Sequence, residues 1–135
     1  MNEGKVKQVI GPTIEIEFPL GKLPGILNAI KIAIPEKKID LTAEVVMHLG
    51  DGTVRCIALS STDGLVRGMK AVDTGAPIQV PVGKNTLGRI VDLLGHPIDE
   101  LGPIAADTPT NSIHAPPPPL DEQNTSYELF ETGIK

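Results

Sequence analysis

The sequence has few aromatic residues and no excess of basic ones. It contains no tryptophan, one tyrosine and two phenylalanines, and its 12 lysines and arginines are outnumbered by 17 aspartates and glutamates, for a formal net charge of −5. Nucleic-acid-binding surfaces are usually basic because they displace counterions from the phosphates, and single strands stack on aromatic side chains. The composition therefore argues against a nucleic-acid partner.

Cysteine and long apolar runs are also scarce. A single cysteine, Cys56, excludes an internal disulfide and a cysteine-built zinc site, and it is typical of a reducing compartment. No apolar run approaches the roughly 20 residues of a membrane helix. Residues 1–5 contain no apolar or arginine-rich targeting segment. We therefore expect a soluble chain with no direct membrane insertion.

Glycine and proline are abundant, with 14 and 13 residues respectively. Both residues interrupt helices and strands, so the sequence predicts many turns and short elements.

Alternating apolar and polar residues predict several half-buried strands. In residues 13–18, Ile14, Ile16 and Phe18 share one face. A period of two is that of a strand with one face in the core. The same interpretation applies to residues 26–34, 41–49, 54–59 and 77–82, where the predicted inward-facing residues include Ile26, Ile30, Ile32, Ile34, Leu41, Ala43, Val45, Met47, Leu49, Val54, Cys56 and Ala58.

Turn-forming residues separate these strands. Asp51-Gly52 is the pair preferred in a tight hairpin turn, and residues 60–64 form a second turn cluster. About six short strands with a turn every roughly 8 to 12 residues indicate a small, closed or nearly closed antiparallel barrel.

The pattern changes after Pro81. Leu87, Ile90, Val91 and Leu94 recur at the spacing of a helical apolar stripe, with Asn85 as a possible cap, and Gly95 followed by Pro97 would end the helix. The run 116–119 consists of proline and must be extended polyproline II. Thr125 and Glu128 have the spacing of a capping box.

The part after the predicted barrel has too little apolar sequence for a core of its own. Residues 83–135 contain one predicted helix and almost no predicted strand. We therefore expect them to be the opening of a second domain whose body is absent from this sequence.

Two patterns suggest a phosphate or metal site but fit poorly. Residues 83–86 (GKNT) resemble the end of a phosphate loop, but that motif needs a glycine where Ile78 stands and Ser or Thr where Asn85 stands. A plain strand-to-helix turn is favoured. His48, His96 and His114 are far apart in sequence and have no metal-ligand spacing.

Other chemically capable residues have simpler interpretations. Cys56 is predicted to be a buried, inert thiol, because it alternates with core residues and has no histidine near it in sequence. Carboxylates at 15, 17, 99, 100, 121 and 122 are predicted to be solvated, and arginines 55, 67 and 89 to be surface charges or interface contacts. The sequon at residues 124–126 requires secretion, which nothing here signals. Residues 116–119 are favoured as a stiff spacer over a ligand for a proline-binding domain.

Six segments together resemble the N-terminal part of the catalytic beta subunits of F-type ATP synthases. They are residues 4–12 (GKVKQVIGP), 54–58 (VRCIA), 62–68 (TDGLVRG), 77–90 (PIQVPVGKNTLGRI), 94–99 (LGHPID) and 128–135 (ELFETGIK), in the same order. Related rotary and export ATPases share parts of 77–99. Residues 54–58, 61–65 and 131–135 favour the beta over the alpha subunit, whereas Asn85 and the prolines at 116–119 depart from the family pattern.

The resemblance implies a mainly β fold: a small six-stranded antiparallel barrel, then the truncated start (one helix, extended linker) of an α/β P-loop nucleotide-binding domain. We expect the barrel domain in residues 1–82 and the incomplete domain in 83–135. In the family, barrels of alternating alpha and beta subunits form a ring that holds the catalytic hexamer together.

The resemblance also implies an activity for the parent subunit. This is ATP synthesis from ADP and phosphate, or its reverse, with Mg-ATP and ADP as ligands and with rotation of a central shaft, the gamma subunit, coupled to ion flow. The shaft contact lies in the missing part. The expected location is peripheral, on the cytoplasmic face of the bacterial inner membrane or the stromal side of the thylakoid.

The resemblance assigns no catalytic, cofactor-binding or metal-binding residue to this sequence. In the family, the phosphate loop, the magnesium-binding residues, the catalytic glutamate and the adenine-contacting aromatic lie beyond the equivalent of Lys135. This segment alone is therefore expected to be inactive and to bind no cofactor.

Three alternatives remain open. The chain could belong to an alpha subunit or to a flagellar or type III export ATPase of the same superfamily. It could also be a free-standing barrel adaptor that binds a protein and no nucleotide.

Overall fold

The computed structural model describes residues 2–124, 126–129, 131 and 132. Strands dominate this part of the chain. They are β1 (Glu3–Ile10), β2 (Thr13–Glu17), β3 (Asn28–Ile34), β4 (Ile39–Gly50), β5 (Thr53–Ala58), β6 (Lys70–Pro77), β7 (Gln79–Pro81) and β8 (Thr110–Ser112). Short 3₁₀ helices cover Pro35–Lys37, Lys84–Thr86 and Leu120–Glu122.

The first six strands close into a barrel in the order β1-β2-β5-β4-β3-β6, and all neighbouring pairs are antiparallel. Each strand has a partner on both sides, so the barrel has no free edge. The predicted mainly β, six-stranded antiparallel barrel is confirmed.

The barrel interior is filled by the alternating apolar residues. Ile14, Ile16, Ile30 and Ile32 are fully buried and contact side chains from the other strands. The rest of the core comprises Val6, Phe18, Leu41, Ala43, Val45, Val54, Cys56, Leu65, Met69 and Ala71. The core therefore follows the period-two pattern of the sequence.

Some predicted inward positions lie outside the core. The register shifts between Val45 and Met47, and beyond this bulge Met47 and Leu49 are exposed. A bulge adds one residue to a strand and so turns the following side chains to the other face. Ile26 precedes the first residue of β3 and is exposed as well.

The last barrel strand also differs from the expectation. Residues 77–82 were predicted as the final strand, but β6 ends at Pro77, and residues 79–81 pair with β8 in a separate two-stranded sheet. The alternation in β6 is weak because Asp73 takes an inward, buried position. The Asn28 amide and the Gly75 N–H donate to the Asp73 carboxylate at 3.0 and 2.9 Å, which compensates for its burial.

The predicted hairpin turn between β4 and β5 is confirmed. Asp51 and Gly52 have φ angles of 48° and 72°. These are the two left-handed positions of a turn that matches the twist of antiparallel strands.

The predicted helix with the stripe Leu87, Ile90, Val91 and Leu94 is wrong. After the 3₁₀ turn, Gly88 has a φ of 72°, and residues 90–98 form a small hairpin in which Ile98 N–H donates to Ile90 O at 2.9 Å and Asp92 N–H to His96 O at 2.8 Å. No α-helix occurs in the described part of the chain, so the start of an α/β P-loop domain is not shown.

In the described ranges, no helix has the length and apolar character needed to span a bilayer.

Candidate functional site

The segment after the barrel is folded back onto itself by the second sheet. Strand β7 pairs with β8, and the pairing is extended by Val82 N–H to Pro109 O at 2.9 Å and Ile113 N–H to Ile78 O at 3.1 Å. The sheet encloses residues 83–108 as a long loop with its two ends held together. We call residues 78–114 the post-barrel segment.

Arg89 and Asp99 form a two-point ion pair at the centre of this loop. Arg89 Nε donates to Asp99 Oδ2 at 2.6 Å, and Arg89 Nη2 donates to Oδ1 at 3.0 Å. The same carboxylate accepts the N–H groups of Ile90 and Leu101, both at 3.1 Å, and Nη2 also donates to the Gly102 carbonyl. We call this arrangement the Arg89–Asp99 knot.

The knot is largely shielded from solvent, with 15% of the Arg89 side chain and 6% of the Asp99 side chain exposed. The hydrogen bond from Arg89 holds the pKa of Asp99 well below its usual range, against the opposing effect of burial. The same hydrogen bond raises the pKa of Arg89. The prediction of a solvated Asp99 is therefore wrong, and so is that of Arg89 as a surface charge; that of Arg89 as an interface contact stays a prediction.

Asp92 organises the tip of the hairpin in a similar way. Its Oδ1 accepts the N–H groups of Leu94 at 2.9 Å and His96 at 2.8 Å, and the His96 ring Nδ1 lies 3.1 Å from Oδ2. Burial acts to raise the pKa of Asp92, but the hydrogen bonds from His96 and Leu94 lower it by more. The Asp92 carboxylate thus accepts hydrogen bonds from backbone N–H groups that would donate to backbone carbonyls in a helix.

The phosphate-loop look-alike is an ordinary turn. Gly83 has a φ of 96°, Lys84–Thr86 is a single 3₁₀ turn, and Thr86 Oγ1 donates to Gly83 O at 2.7 Å. Asn85 does not cap a helix; its amide donates to Thr108 Oγ1 at 3.0 Å across the loop. The turn was predicted correctly, and the helix expected after it is absent.

The three histidines each contact a different acceptor. His48 Nε2 lies 2.8 Å from Pro24 O, and His114 Nε2 lies 2.7 Å from Glu44 Oε2. His96 contacts Asp92, as described above. In the described ranges, no group of three or more His, Cys, Asp or Glu side chains is placed to hold a metal ion.

Cys56 is fully buried, as predicted from the alternation of β5. Burial raises the pKa of its thiol from 9.0 to about 12. A protonated thiol is a poor nucleophile and a poor metal ligand.

The remaining predicted residues lie on the surface or in ion pairs. Arg55 Nη2 pairs with Glu15 Oε1 at 2.7 Å on the outer wall of the barrel, and only 14% of the Glu15 side chain is exposed, so the prediction of a solvated Glu15 is wrong. Glu17 and Arg67 are exposed. Residues 116–122 are exposed, and Pro119 has φ −62° and ψ 159°, which is polyproline II. Thr125 of the predicted capping box lies outside the described residues.

Two of the clefts in the described part of the chain contain charged side chains that are already paired. One of about 340 Å³ and one of about 270 Å³ lie between the post-barrel segment and the barrel, and both are lined by Lys31, Thr42, Leu94 and His96. Lys31 is already paired with Asp40 at 2.6 Å. These clefts show where the segment rests on the barrel and have no free charge cluster for a ligand.

The sequence pattern does not predict the knot, in which the Arg89 and Asp99 side chains make five hydrogen bonds within the described residues. Arg89 and Asp99 are ten residues apart, and this spacing is typical neither of a contact within a helix nor of one within a strand. The available signal was local: Asp99 accepts the N–H of Leu101 two residues on, an Asx turn that Asp commonly makes.

The sequence of the barrel matches a known protein family. Residues 6–75 match the beta-barrel domain of the ATP synthase alpha/beta family, and this match runs from β1 to β6 and covers slightly more than half of the chain. The chain belongs to the ATP synthase alpha/beta family. Membership implies partner subunits in a hexamer, and the match does not distinguish alpha from beta.

Proposed function

We propose that the chain is the N-terminal portion of a catalytic beta subunit of an F-type ATP synthase and that its barrel serves the assembly of an alternating hexamer with alpha subunits. The observation that carries this proposal is the closed six-stranded barrel, whose sequence matches the family over residues 6–75. Since the closed barrel has no free strand edge, side chains on its surface, rather than main-chain pairing of β1 to β6, would mediate this assembly.

The choice of beta over alpha rests on sequence segments that the barrel match does not resolve. Residues 54–58 form most of β5, and residues 61–65 follow it, ending at the buried Leu65. Residues 131–135 are the third such segment. Their resemblance to beta subunits supports the finer assignment.

The parent subunit would bind Mg-ATP and ADP and make ATP from ADP and phosphate, driven by rotation of the gamma subunit coupled to an ion gradient. The residues for that chemistry are expected beyond this sequence. The division into a barrel domain (1–82) and the start of a nucleotide-binding domain (83–135) belongs to the same proposal, as does a peripheral location on the cytoplasmic or stromal face of an energy-coupling membrane.

Native mass spectrometry of the chain mixed with purified subunits tests the assignment. A beta-type chain is expected to bind an F-type alpha subunit and to bind neither itself nor a beta subunit. Binding to a beta subunit would favour the alpha assignment, and a ring made from this chain alone would favour an export-type ATPase. A chain that stays monomeric and binds neither subunit would support the adaptor interpretation.

A separate experiment tests the proposal that these residues serve assembly and not catalysis. The chain alone, incubated with Mg-ATP, is expected to release no phosphate above background in a coupled assay. Hydrolysis that depends on the chain would contradict the view that these residues serve assembly only.

A further inference from the structure

The four consecutive prolines at 116–119 lie outside the buried part of the described chain. All four are exposed. The Pro118 and Pro119 carbonyls accept hydrogen bonds at 3.0 Å from the Gln123 side chain and the Glu122 N–H, which belong to the same exposed segment. Neither contact requires proline, because only a backbone carbonyl is used and every residue has one. The packing of the fold therefore does not account for the run.

A run of prolines has a chemical consequence while the chain is being made. The backbone nitrogen of proline is a secondary amine that carries the pyrrolidine ring, and the ring fixes φ. During synthesis this hindered nitrogen must attack the carbonyl of the preceding residue, and in a Pro–Pro bond that residue is rigid as well. Pro–Pro bonds therefore form slowly on the ribosome. The sequence contains three of them, all within residues 116–119.

The run follows the barrel at a distance that matches the exit tunnel of the ribosome. Pro116 lies 39 residues after Pro77, the last residue of β6. A tunnel about 100 Å long encloses about 30 residues of extended chain. When the Pro–Pro bonds are formed, all six barrel strands are therefore outside, with about ten residues between β6 and the tunnel mouth.

Closure of the barrel is the folding step that gains from a delay at this point. Strand β6 joins the two ends of the sheet, because it pairs with β1 and β3, and its partners in β1 lie 65 to 69 residues away in sequence. Such distant pairings form slowly, and all-β domains fold in milliseconds to seconds. Strand β6 also contributes a single residue, Ala71, to the apolar core. Its docking is therefore slow and weakly driven.

The post-barrel segment would compete with β6 if it emerged before closure. Five of its apolar residues are at least 56% exposed even in the folded chain: Leu87, Ile90, Leu93, Ile98 and Leu101. At about 5 to 20 residues per second, the segment follows β6 out of the tunnel within a few seconds. This is the range of slow barrel folding, so an open barrel would meet these side chains.

A pause at the proline run also keeps back the groups that fix the post-barrel segment. Asp99, Thr110–Ser112 and His114 lie 2 to 17 residues before Pro116. They form the knot, the pairing with β7 and the contact with Glu44 on the barrel. All of them are inside the tunnel during the pause, while the barrel is outside and free to close.

We propose that Pro116–Pro119 pause the synthesis of this chain when β1 to β6 have left the ribosome and residues from about 90 onward have not, so that the barrel closes before the post-barrel segment docks on it. The run acts on the order of folding and not on the folded structure. This inference does not depend on the subunit assignment.

Translation of the full chain in a cell extract, with its own elongation factors, tests the pause. Toeprinting maps stalled ribosomes on the messenger RNA and is expected to show them at codons 117–119. Pro117→Ala/Pro118→Ala leaves no Pro–Pro bond and should lose this signal. Pro103→Ala/Pro109→Ala is the matched control, with two exchanges at isolated prolines, and should keep it. If ribosomes do not stall at codons 117–119 of the unmodified chain, the proposal is wrong.

Labelling of Cys56 tests the effect on folding, because Cys56 is the only cysteine of the sequence and is fully buried. A short pulse of thiol reagent as chains leave the ribosome should label Pro117→Ala/Pro118→Ala about twofold more than the unmodified chain, since more of its barrels are still open. After refolding from urea, both chains should be equally protected, because exposed substitutions change stability little.

The two labelling results separate a folding pause from its alternatives. Equal labelling on release, despite a pause, would show that the pause does not order folding. Unequal protection after refolding would assign the effect of the prolines to the folded state. Either result overturns the proposal.

Discussion

Gly95 is the residue at which the hairpin of the post-barrel segment meets β7. A Cβ atom added there would overlap Pro81 Cδ, and Gly95 has a φ of 83°. Gly88 has a φ of 72° and nothing within 4 Å of the corresponding position. Alanine at either position therefore carries backbone strain of about 1 kcal/mol, and only Gly95→Ala adds a steric overlap.

We expect Gly95→Ala to separate the hairpin from β7 and Gly88→Ala to leave it in place. Hydrogen exchange of the Asp92 and Ile98 amides measures this, and exchange should accelerate clearly more in Gly95→Ala. Equal acceleration in both variants would show that the contact with Pro81 does not hold the hairpin.

A second prediction about a single residue concerns the Cys56 thiol. Because burial raises its pKa from 9.0 to about 12, the thiolate at pH 8 is about a thousandfold rarer than for an unburied cysteine. Labelling with a disulfide reagent should therefore be undetectable in the native protein at pH 8 and rapid in urea. Rapid labelling of the native protein would place the thiol outside the barrel interior.

Among the elements, the Arg89–Asp99 knot makes a pH-dependent contribution to stability. The folded-state pKa of Asp99 is depressed, so its contribution is fully present above the unfolded value of about 3.9 and is lost as pH falls toward the folded value. We expect the loop to loosen below about pH 4 while the barrel persists. Amide signals of Ile90 and Leu101, followed by NMR during acid titration, report this.

Asp99→Asn is the matched variant, because an amide keeps the shape and loses the charge. It should show fast exchange of the Ile90 and Leu101 amides already at pH 7, on the order of tenfold above the unmodified chain. Unchanged exchange in Asp99→Asn would mean that these amides do not depend on the ion pair.

The strands were predictable and the post-barrel segment was not, for a physical reason. Burial of one strand face imposes a period of two, which Ile14, Ile16, Ile30 and Ile32 follow and the sequence displays. The hairpin at residues 90–98 is fixed by the Asp92 and Asp99 carboxylates, whose targets are backbone amides that carry no sequence pattern. The sequence pattern likewise gives no sign of a bulge such as the one after Val45.

For the molecule as a whole, the β7–β8 sheet and the His114–Glu44 pair indicate that the ordered unit continues past the barrel to about residue 114. A glutamate-specific protease tests this, because Glu100 lies next to the knot and Glu122 and Glu128 lie after the exposed prolines. Cleavage needs local opening, so the bonds after Glu122 and Glu128 should be cut first.

Mass spectrometry of early digests should then show a fragment ending at residue 122 and little ending at residue 100. Cleavage after Glu100 at a comparable rate would support an ordered unit that stops near residue 82, as the sequence alone predicted. The family assignment depends on neither outcome, because the match lies within residues 6–75.

The closed order of the six strands also bears on how related subunits come to differ. Each of the six strands already pairs with two others, so two barrels cannot join by main-chain hydrogen bonds between these strands. Such main-chain pairing would not depend on the side chains. Their recognition must be encoded in outer side chains, which change by single substitutions without touching the core. Related barrels can therefore differ in the partners that they recognise while keeping one fold.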